Sequence, residues 1–277
     1  MPELPEVETV RRSLESQVKG ALISEVVVYD DTVYGDGESG ERIANCLKGR
    51  RVTALTRRGK FLLLHLDDDW VLIVHLRMTG QFYLLAKQMA APERLRFMLH
   101  LTSGERLCFN DLRRFGRVWL VKEAELGSFK PFQRLAPDPL EQSFDRQAWA
   151  QALAKRKAPI KNLLLNQSLM SGLGNIYVDE ALFRAGIFPL TPANELSLDD
   201  LFSLHQEIKE LLKSAIRWRG TTYSDYVDGR GVPGEFAQHL YVYRRQGKLC
   251  RNCKTPIQRT KLGGRGTHFC PTCQAVR

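Results

Sequence analysis

Four of the six cysteines fall near the end of the chain as Cys250-x2-Cys253-x16-Cys270-x2-Cys273, and no other feature restricts so sharply what it can fold into. Two residues between thiols let one tight turn aim both sulfurs at a single metal. Sixteen residues suffice for a hairpin to return with the second pair. Gly263, Gly264 and Gly266 stand mid-span, where that hairpin must reverse. The spacing predicts one zinc ion held by four thiolates. Such a zinc is structural, because four protein ligands leave no open coordination position. The alternative is a pair of disulfides, which needs an oxidising compartment. Cys46 and Cys108 lack metal spacing and are expected as ordinary semi-buried side chains.

The same segment is strongly basic. Residues 236–277 hold nine Lys and Arg and no Asp or Glu, which accounts for nearly all of the formal net charge of +10. A solvated tail would also be basic, but this one carries Tyr241, Tyr243, Phe269 and the cysteines. It reads as a folded module facing a polyanion. His268 is expected at the surface or facing that polyanion rather than on the metal. At 277 residues the chain has room for two domains with a small appendage. No apolar run approaches the ~20 residues needed to span a bilayer. The start, Met1-Pro2-Glu3-Leu4-Pro5-Glu6, is acidic and proline-punctuated, unlike a secretory signal. A soluble intracellular protein is expected.

Along the chain, Pro5 followed by Val7, Val10, Leu14 and Val18 predicts an amphipathic helix over 6–18. Strand-like runs follow at 26–29, 60–66, 71–76, 97–101, 106–109 and 117–121, separated by turns such as 35–37 and 102–104. Many short strands at this spacing predict a sandwich or barrel. A proline-rich stretch, 131–139, reads as a linker. After it the apolar period changes to 3.6: Leu201, Leu204, Ile208, Leu211, Leu212 and Ala215 share one helix face, which Ser197 and Asp200 can cap. Ser171-Gly172-Leu173-Gly174-Asn175 is a glycine turn leading into a helix over 176–185 that stops at Gly186. It reads either as a backbone phosphate site or as a plain helix hairpin. Residues 220–234 are too glycine-rich to predict rigid packing and read as a mobile loop, a lid among the possibilities.

The N-terminus carries unusual chemistry. Methionine before proline is normally trimmed, which would expose Pro2 as a secondary amine. An α-amino group titrates near ~7.7–8, so part of it is neutral and nucleophilic at neutral pH. Its attack on an aldehyde-level carbon gives a cationic iminium, an electron sink, with Glu3 placed as general acid or base. Alternatively Glu3, Glu6 and Glu8 simply complement a helix N-terminus.

Taken together the pieces resemble the formamidopyrimidine-DNA glycosylases. The residues that carry the likeness are Met1-Pro2-Glu3-Leu4-Pro5-Glu6 and its continuation to Arg12, Arg57-Arg58-Gly59-Lys60-Phe61, His75-Leu76-Arg77-Met78-Thr79-Gly80, Asp111-Leu112-Arg113-Arg114-Phe115-Gly116, Gly172-Leu173-Gly174-Asn175-Ile176-Tyr177, and Gly264 through Cys270. They run the whole chain in family order. The resemblance implies an α+β fold. An N-terminal antiparallel β-sandwich with a leading helix (1–132) is followed by a linker (133–145), a helix-two-turn-helix domain (146–235) and a zinc-binding β-hairpin (236–277). It implies a monomeric bifunctional glycosylase/AP lyase of base excision repair, cytoplasmic and nucleoid-associated in a bacterium. The implied partner is damaged double-stranded DNA lying in a basic cleft between the domains, with Pro2 at its floor, and no membrane.

Residue by residue, the resemblance makes Pro2 the nucleophile at C1′ and Glu3 the proton carrier. Lys60 assists β-elimination, and Arg265, at the hairpin tip, is tied to δ-elimination. A lysine beside two arginines should have its charged form disfavoured, which suits proton exchange; a plain phosphate contact is the alternative. Met78, Arg113 and Phe115 match the trio that fills the space left by a flipped base. Arg94, Arg114, Lys157, Lys161 and Asn175 match phosphate or lesion-strand contacts. Cys250, Cys253, Cys270 and Cys273 hold the zinc.

Two positions depart from the family pattern. Glu93-Arg94-Leu95-Arg96 replaces a usual Lys-His-x-[His/Arg], so Arg94 takes the place of a DNA-contacting histidine. Arg219 stands where glycine is usual, at the entry to a 220–234 loop that resembles the one caging flipped 8-oxoguanine. Removal of oxidised purines, 8-oxoguanine and formamidopyrimidines, is therefore expected. The rivals are an endonuclease VIII-like enzyme for oxidised pyrimidines and a non-catalytic zinc-dependent DNA-binding protein.

Overall fold

The computed structural model describes residues 1–35 and 39–275. Of the expected turn 35–37 only Gly35 is among them; Asp36, Gly37 and the terminal Arg277 lie outside the described residues. The chain groups into two compact units, Met1–Gln133 with Ala215–Ala237, and Arg134–Ser214 with Gln238–Arg277. Grouping by contact therefore does not follow chain order, since residues 215–237 pack with the first unit. No helix among the described residues is long and apolar enough to cross a membrane.

In the first unit, helix α1 (Leu4–Val18) begins one residue after Glu3, with Pro5 in a first turn whose amides have no intrahelical acceptor to lose. Leu4, Val7, Val10, Leu14 and Val18 are all buried. β1 (Ile23–Val28) is followed by α2 (Gly40–Leu47) and then β2 (Val52–Arg58), β3 (Phe61–Leu66), β4 (Trp70–His75), β5 (Gly80–Leu85), β6 (Leu95–Leu101), β7 (Arg106–Asp111) and β8 (Arg117–Lys122), with α3 (Lys130–Gln133) last. The strands form two antiparallel four-stranded sheets, ordered β1-β6-β7-β5 and β2-β3-β4-β8. Leu62, Leu64, Leu72 and Val74 of one sheet share a single core with Phe82, Phe97, Leu99 and Phe109 of the other and with the α1 stripe. This is the expected sandwich with a leading helix. All six expected strands are present; β2 and β5 are additional. β2 buries only Val52 and Leu55, across a register shift between Val52 and Ala54, whereas β5 buries Gly80, Phe82 and Leu84 on one face.

Glu8 on α1 pairs with Arg11 at 2.9 Å, Arg12 at 2.7 Å and Arg57 at 3.1 Å. Burial alone would raise its carboxyl, but the arginines outweigh burial and bring it from 4.5 down to about 2. Ionised Glu8 thus contributes stability that is complete above pH 4.5 and lost as pH falls toward 2. In an acid titration followed by circular dichroism, Glu8→Gln is expected to lose less stability than wild type across that window. Parallel curves would assign the acid sensitivity to another group.

The second unit contains α4 (Arg146–Ala154), α5 (Ile160–Leu164), α6 (Asn175–Arg184), most of α7 (Leu198–Arg217), and the hairpin β9 (Gln258–Leu262) and β10 (Arg265–Phe269). The capping box at α7 is present: Asp200 N–H donates to Ser197 Oγ at 3.1 Å, and Ser197 N–H to Asp200 Oδ2 at 3.1 Å. The proline-rich stretch is less open than a linker pattern suggests. Ala136 N–H donates to the Gln167 carbonyl at 3.0 Å, and Asp138 is fully buried.

Candidate active site and zinc centre

At the N-terminus Pro2 and Glu3 are buried and Met1 is exposed. The turn is held by Glu6, whose carboxylate accepts the Glu3 N–H at 2.8 Å through one oxygen and the Thr221 N–H at 2.7 Å through the other. The hydroxyl of buried Tyr226 donates to the Glu6 carbonyl at 3.2 Å. A buried carboxylate with donors on both oxygens is satisfied and fixed, so the proline-glutamate turn has one geometry. Lys60, 8% exposed, follows Gly59 (φ +55°) in the turn between β2 and β3. Arg57 anchors that turn: its Nη1 donates to the Gly59 carbonyl at 2.9 Å and its Nε to Glu8 at 3.1 Å, which ties it to α1.

His75, in the motif but given no role from sequence, sits at the end of β4 opposite Phe61, ring edge to ring face at 4.5 Å. Its Nδ1 accepts the Arg77 N–H at 3.1 Å. Burial, then the charges of Arg77 and Lys60, push it down to about 3, so it stays a neutral acceptor at neutral pH. The bond pins Arg77 in a left-handed conformation (φ +54°) just before Met78.

Met78 comes together with Arg113 and Phe115 although 35 residues separate Met78 from Arg113. Arg113 Nη1 lies 3.4 Å from Met78 Sδ, and its guanidinium sits 4.6 Å over the Phe115 ring. Met78 and Phe115 are 41% and 46% exposed, and Leu112 beside Arg113 is 54% exposed, so this loop pair presents apolar surface to solvent. The loop that presents them is built on Asp111, fully buried. One of its oxygens accepts the Arg113 N–H at 3.2 Å and the Thr79 hydroxyl, the other the Gly116 N–H at 2.8 Å. A Cβ on Gly116 would stand 2.4 Å from Phe109 Cζ, so glycine is required there. Arg96, which sequence reasoning left unassigned, is buried and clamps the loop from below. Its Nε and Nη2 donate to the Asp111 carbonyl at 2.8 and 2.6 Å, and its Nη1 to Asp30 at 3.1 Å. Arg114, with φ +59°, is largely exposed and lies 3.4 Å from Asp30; Arg94 is exposed.

The 220–234 loop is packed, contrary to the mobile reading. Gly229 N–H donates to Ser13 Oγ at 2.8 Å, Leu84 N–H to the Gly229 carbonyl at 2.8 Å, and Gly234 N–H to Thr222 Oγ1 at 2.9 Å. A Cβ on Gly229 would meet Leu14 Cγ at 2.4 Å and one on Gly234 the Arg219 carbonyl at 2.3 Å. These glycines permit close approach and do not signal mobility.

In the second unit Lys157 is exposed and Arg265 is exposed at the tip of the β9–β10 turn, where Gly263 and Gly264 have φ of +55° and +78°. Asn175 opens α6 and donates through Nδ2 to the Gly266 carbonyl at 2.9 Å. Two expectations are corrected here. Lys161 is fully buried, so it does not face a phosphate. Its Nζ donates to Asp179 Oδ1 at 2.6 Å, Thr267 Oγ1 at 2.9 Å and the Gly266 carbonyl at 3.0 Å. His268 is buried rather than at the surface, with its N–H and Nδ1 at 2.9 and 3.0 Å from Asp179 Oδ2. Asp179, unremarkable in sequence, is what draws both inward.

The ligand atoms of Cys250, Cys253, Cys270 and Cys273 lie within 4.8 Å of one another. Sulfurs of a tetrahedral site with Zn–S bonds of 2.3 Å are about 3.8 Å apart. The Cys250–Cys273 and Cys253–Cys270 separations are 3.8 and 3.3 Å, which fits zinc. Glu180, buried completely, accepts the N–H groups of Tyr241, Val242 and Tyr243, each at 2.8 Å, and so fixes the approach to this module. Burial raises its carboxyl and the three donors oppose that. Cys46 is partly buried, and burial pushes the Cys108 thiol up to about 11.

A β-sandwich led by a buried proline-glutamate turn, with a helical unit carrying a four-thiolate zinc hairpin, defines the class: a two-unit zinc-finger protein of mixed α/β build. Family models for the formamidopyrimidine-DNA glycosylase N-terminal domain, its H2TH domain and the zinc finger found in FPG and IleRS match residues 1–118, 135–227 and 247–276. The chain is 42% identical to the formamidopyrimidine-DNA glycosylase of Pelotomaculum thermopropionicum over 277 residues, all of both chains. It is 44% identical to that of Heliobacterium modesticaldum, over 99% of this chain and 100% of that one. Among solved structures it resembles the Lactococcus lactis Fpg bound to THF-DNA and an inhibitor (TM-score 0.93, 35% identity) and a variant of that protein bound to Fapy-dG-containing DNA (TM-score 0.91, 35% identity). Each covers 99% of this chain and 100% of the other. The chain belongs to the formamidopyrimidine-DNA glycosylase family, and its four clustered cysteines hold one structural zinc.

Proposed function

We propose that the protein is a monomeric bifunctional DNA glycosylase/AP lyase that removes oxidised purines, 8-oxoguanine and formamidopyrimidines, from double-stranded DNA in the bacterial cytoplasm. The reading rests most on the meeting of Met78 with Arg113 and Phe115. A thioether, a fork of donors and an aromatic ring, all exposed on one rigid loop pair, suit insertion where a base has left the stack. With Met1 removed, the Pro2 nitrogen attacks C1′. The glycosidic bond breaks, the base leaves with a proton, and ring opening yields an iminium. Glu3 carries protons in these steps. Loss of a C2′ proton expels the 3′ phosphate, assisted by Lys60, and δ-elimination expels the 5′ phosphate, with the permanently charged Arg265 stabilising it. Arg94, Arg114, Lys157 and Asn175 contact the phosphates or the lesion strand. Lys161 instead shapes the hairpin.

The test is borohydride trapping on duplexes with 8-oxoguanine opposite cytosine, with thymine glycol as comparison. A covalent adduct on 8-oxoguanine that maps to Pro2 is expected. Trapping on thymine glycol alone would move the substrate class to oxidised pyrimidines. No adduct on either, with Met1 shown to be absent, would leave a zinc-dependent DNA-binding protein.

A further inference from the structure

Arg219 occupies a left-handed backbone position (φ +61°) that disfavours every side chain, directly before Gly220 (φ +79°). What the side chain does there is reach nine residues on: its Nη2 donates to Asp228 Oδ2 at 2.5 Å. The Asp228 side chain is 3% exposed. Its other oxygen accepts the N–H groups of Arg230 and Val232 at 2.9 and 3.0 Å, so this one carboxylate caps the turn 228–232. The turn is closed further by Asp228 N–H on the Val232 carbonyl at 2.9 Å, and Gly229 fastens it to Ser13 of α1. At the loop's other end Thr221 is held by Glu6, which also holds Glu3. The ion pair therefore joins the entry of the loop to its far turn, while the nucleophile's own turn is fixed separately.

We infer that the Arg219–Asp228 pair is a specificity-determining latch. It holds the 219–234 loop ordered before a base arrives, favouring lesions whose excision requires the loop to grip the base, and it is silent on sites that have no base. The inference rests on the proposed glycosylase reading. Arg219 and Asp228 act as positioning residues, through the loop backbone, and touch no reacting atom.

The decisive comparison is Arg219→Gly, which suits the backbone angle and removes the guanidinium, assayed on 8-oxoguanine and on a preformed abasic site. The expected result is about a fivefold loss of single-turnover excision of 8-oxoguanine, the size of a partly exposed ion pair, with abasic-site cleavage within twofold of wild type. Arg219→Lys should restore part of the loss, and Asp228→Asn added to Arg219→Gly should cost little more. Equal losses on both substrates, or none on 8-oxoguanine, would overturn the latch. Amide exchange across 228–232 is measured in parallel and should quicken in Arg219→Gly; unchanged protection would overturn the latch whatever the catalytic result. Failure of the wild type to cleave the abasic site would count instead against the glycosylase reading.

Discussion

Lys161→Ala is expected to destabilise the second unit by about 3–5 kcal/mol and to lower its melting temperature by on the order of 10 °C. The Lys161 and Asp179 side chains are both fully buried and meet at 2.6 Å. Deleting the cation leaves an uncompensated carboxylate in a medium that cannot solvate it and takes one donor each from the Thr267 hydroxyl and the Gly266 carbonyl, the latter keeping only Asn175. Asp179→Asn should also destabilise, because Lys161 and His268 use different carboxylate oxygens and an amide offers only one, leaving the buried ammonium without its anion. A Lys161→Met, Asp179→Leu double variant should recover part of the loss, since a buried pair is often replaceable by apolar groups, but the His268 N–H would stay unsatisfied. A phosphate-contacting lysine predicts the reverse: an unchanged melting curve and a weaker salt dependence of DNA binding. Thermal melts beside salt-dependent binding of the same variants decide between the two.

Chelating the zinc should have the larger effect. Structural zinc in small modules contributes ~10–16 kcal/mol of apparent binding energy, essentially all of it folding energy. The apolar cluster around the ligands is small: its buried residues are Phe183, Val242, Cys250, Ile257 and Cys270, two of them ligands. A two-stranded hairpin such as β9–β10 is marginal alone. Removal of one zinc per chain should abolish amide protection over 258–269 and, through Gly266 and Thr267, loosen Lys161, while the sandwich core of the first unit keeps its protection. Zinc release titrated against a chromogenic chelator, with hydrogen exchange on the apo protein, checks both. Persistent hairpin protection after complete release would count against a structural role.

Much of the architecture was legible because it depends on local periodicity. The α1 stripe, the α7 face with its Ser197–Asp200 cap, and the six apolar strands each carry their period in their own residues. β2 was not legible because its two buried residues, Val52 and Leu55, are three apart across a register shift and carry no period of two, while the apolar run Phe82 to Leu85 of β5 marks a strand that the sequence reading did not include. The 220–234 loop was misjudged for a related reason. Glycine marks mobility and close approach alike, and only the positions of Leu14, Ser13 and the Arg219 carbonyl distinguish them.

The same division runs through the candidate site. By itself the sequence determined the zinc ligands and the amphipathic helix that Pro5 opens, because coordination spacing and helix entry are short-range matters of a few residues. Only the tertiary structure decided which charges face outward. Lys157 and Lys161 look equivalent in the chain, yet Asp179, eighteen residues on, draws Lys161 and His268 inward and leaves Lys157 exposed. A buried charge is tolerated only beside its partner, and that partner is supplied by packing between segments distant in sequence.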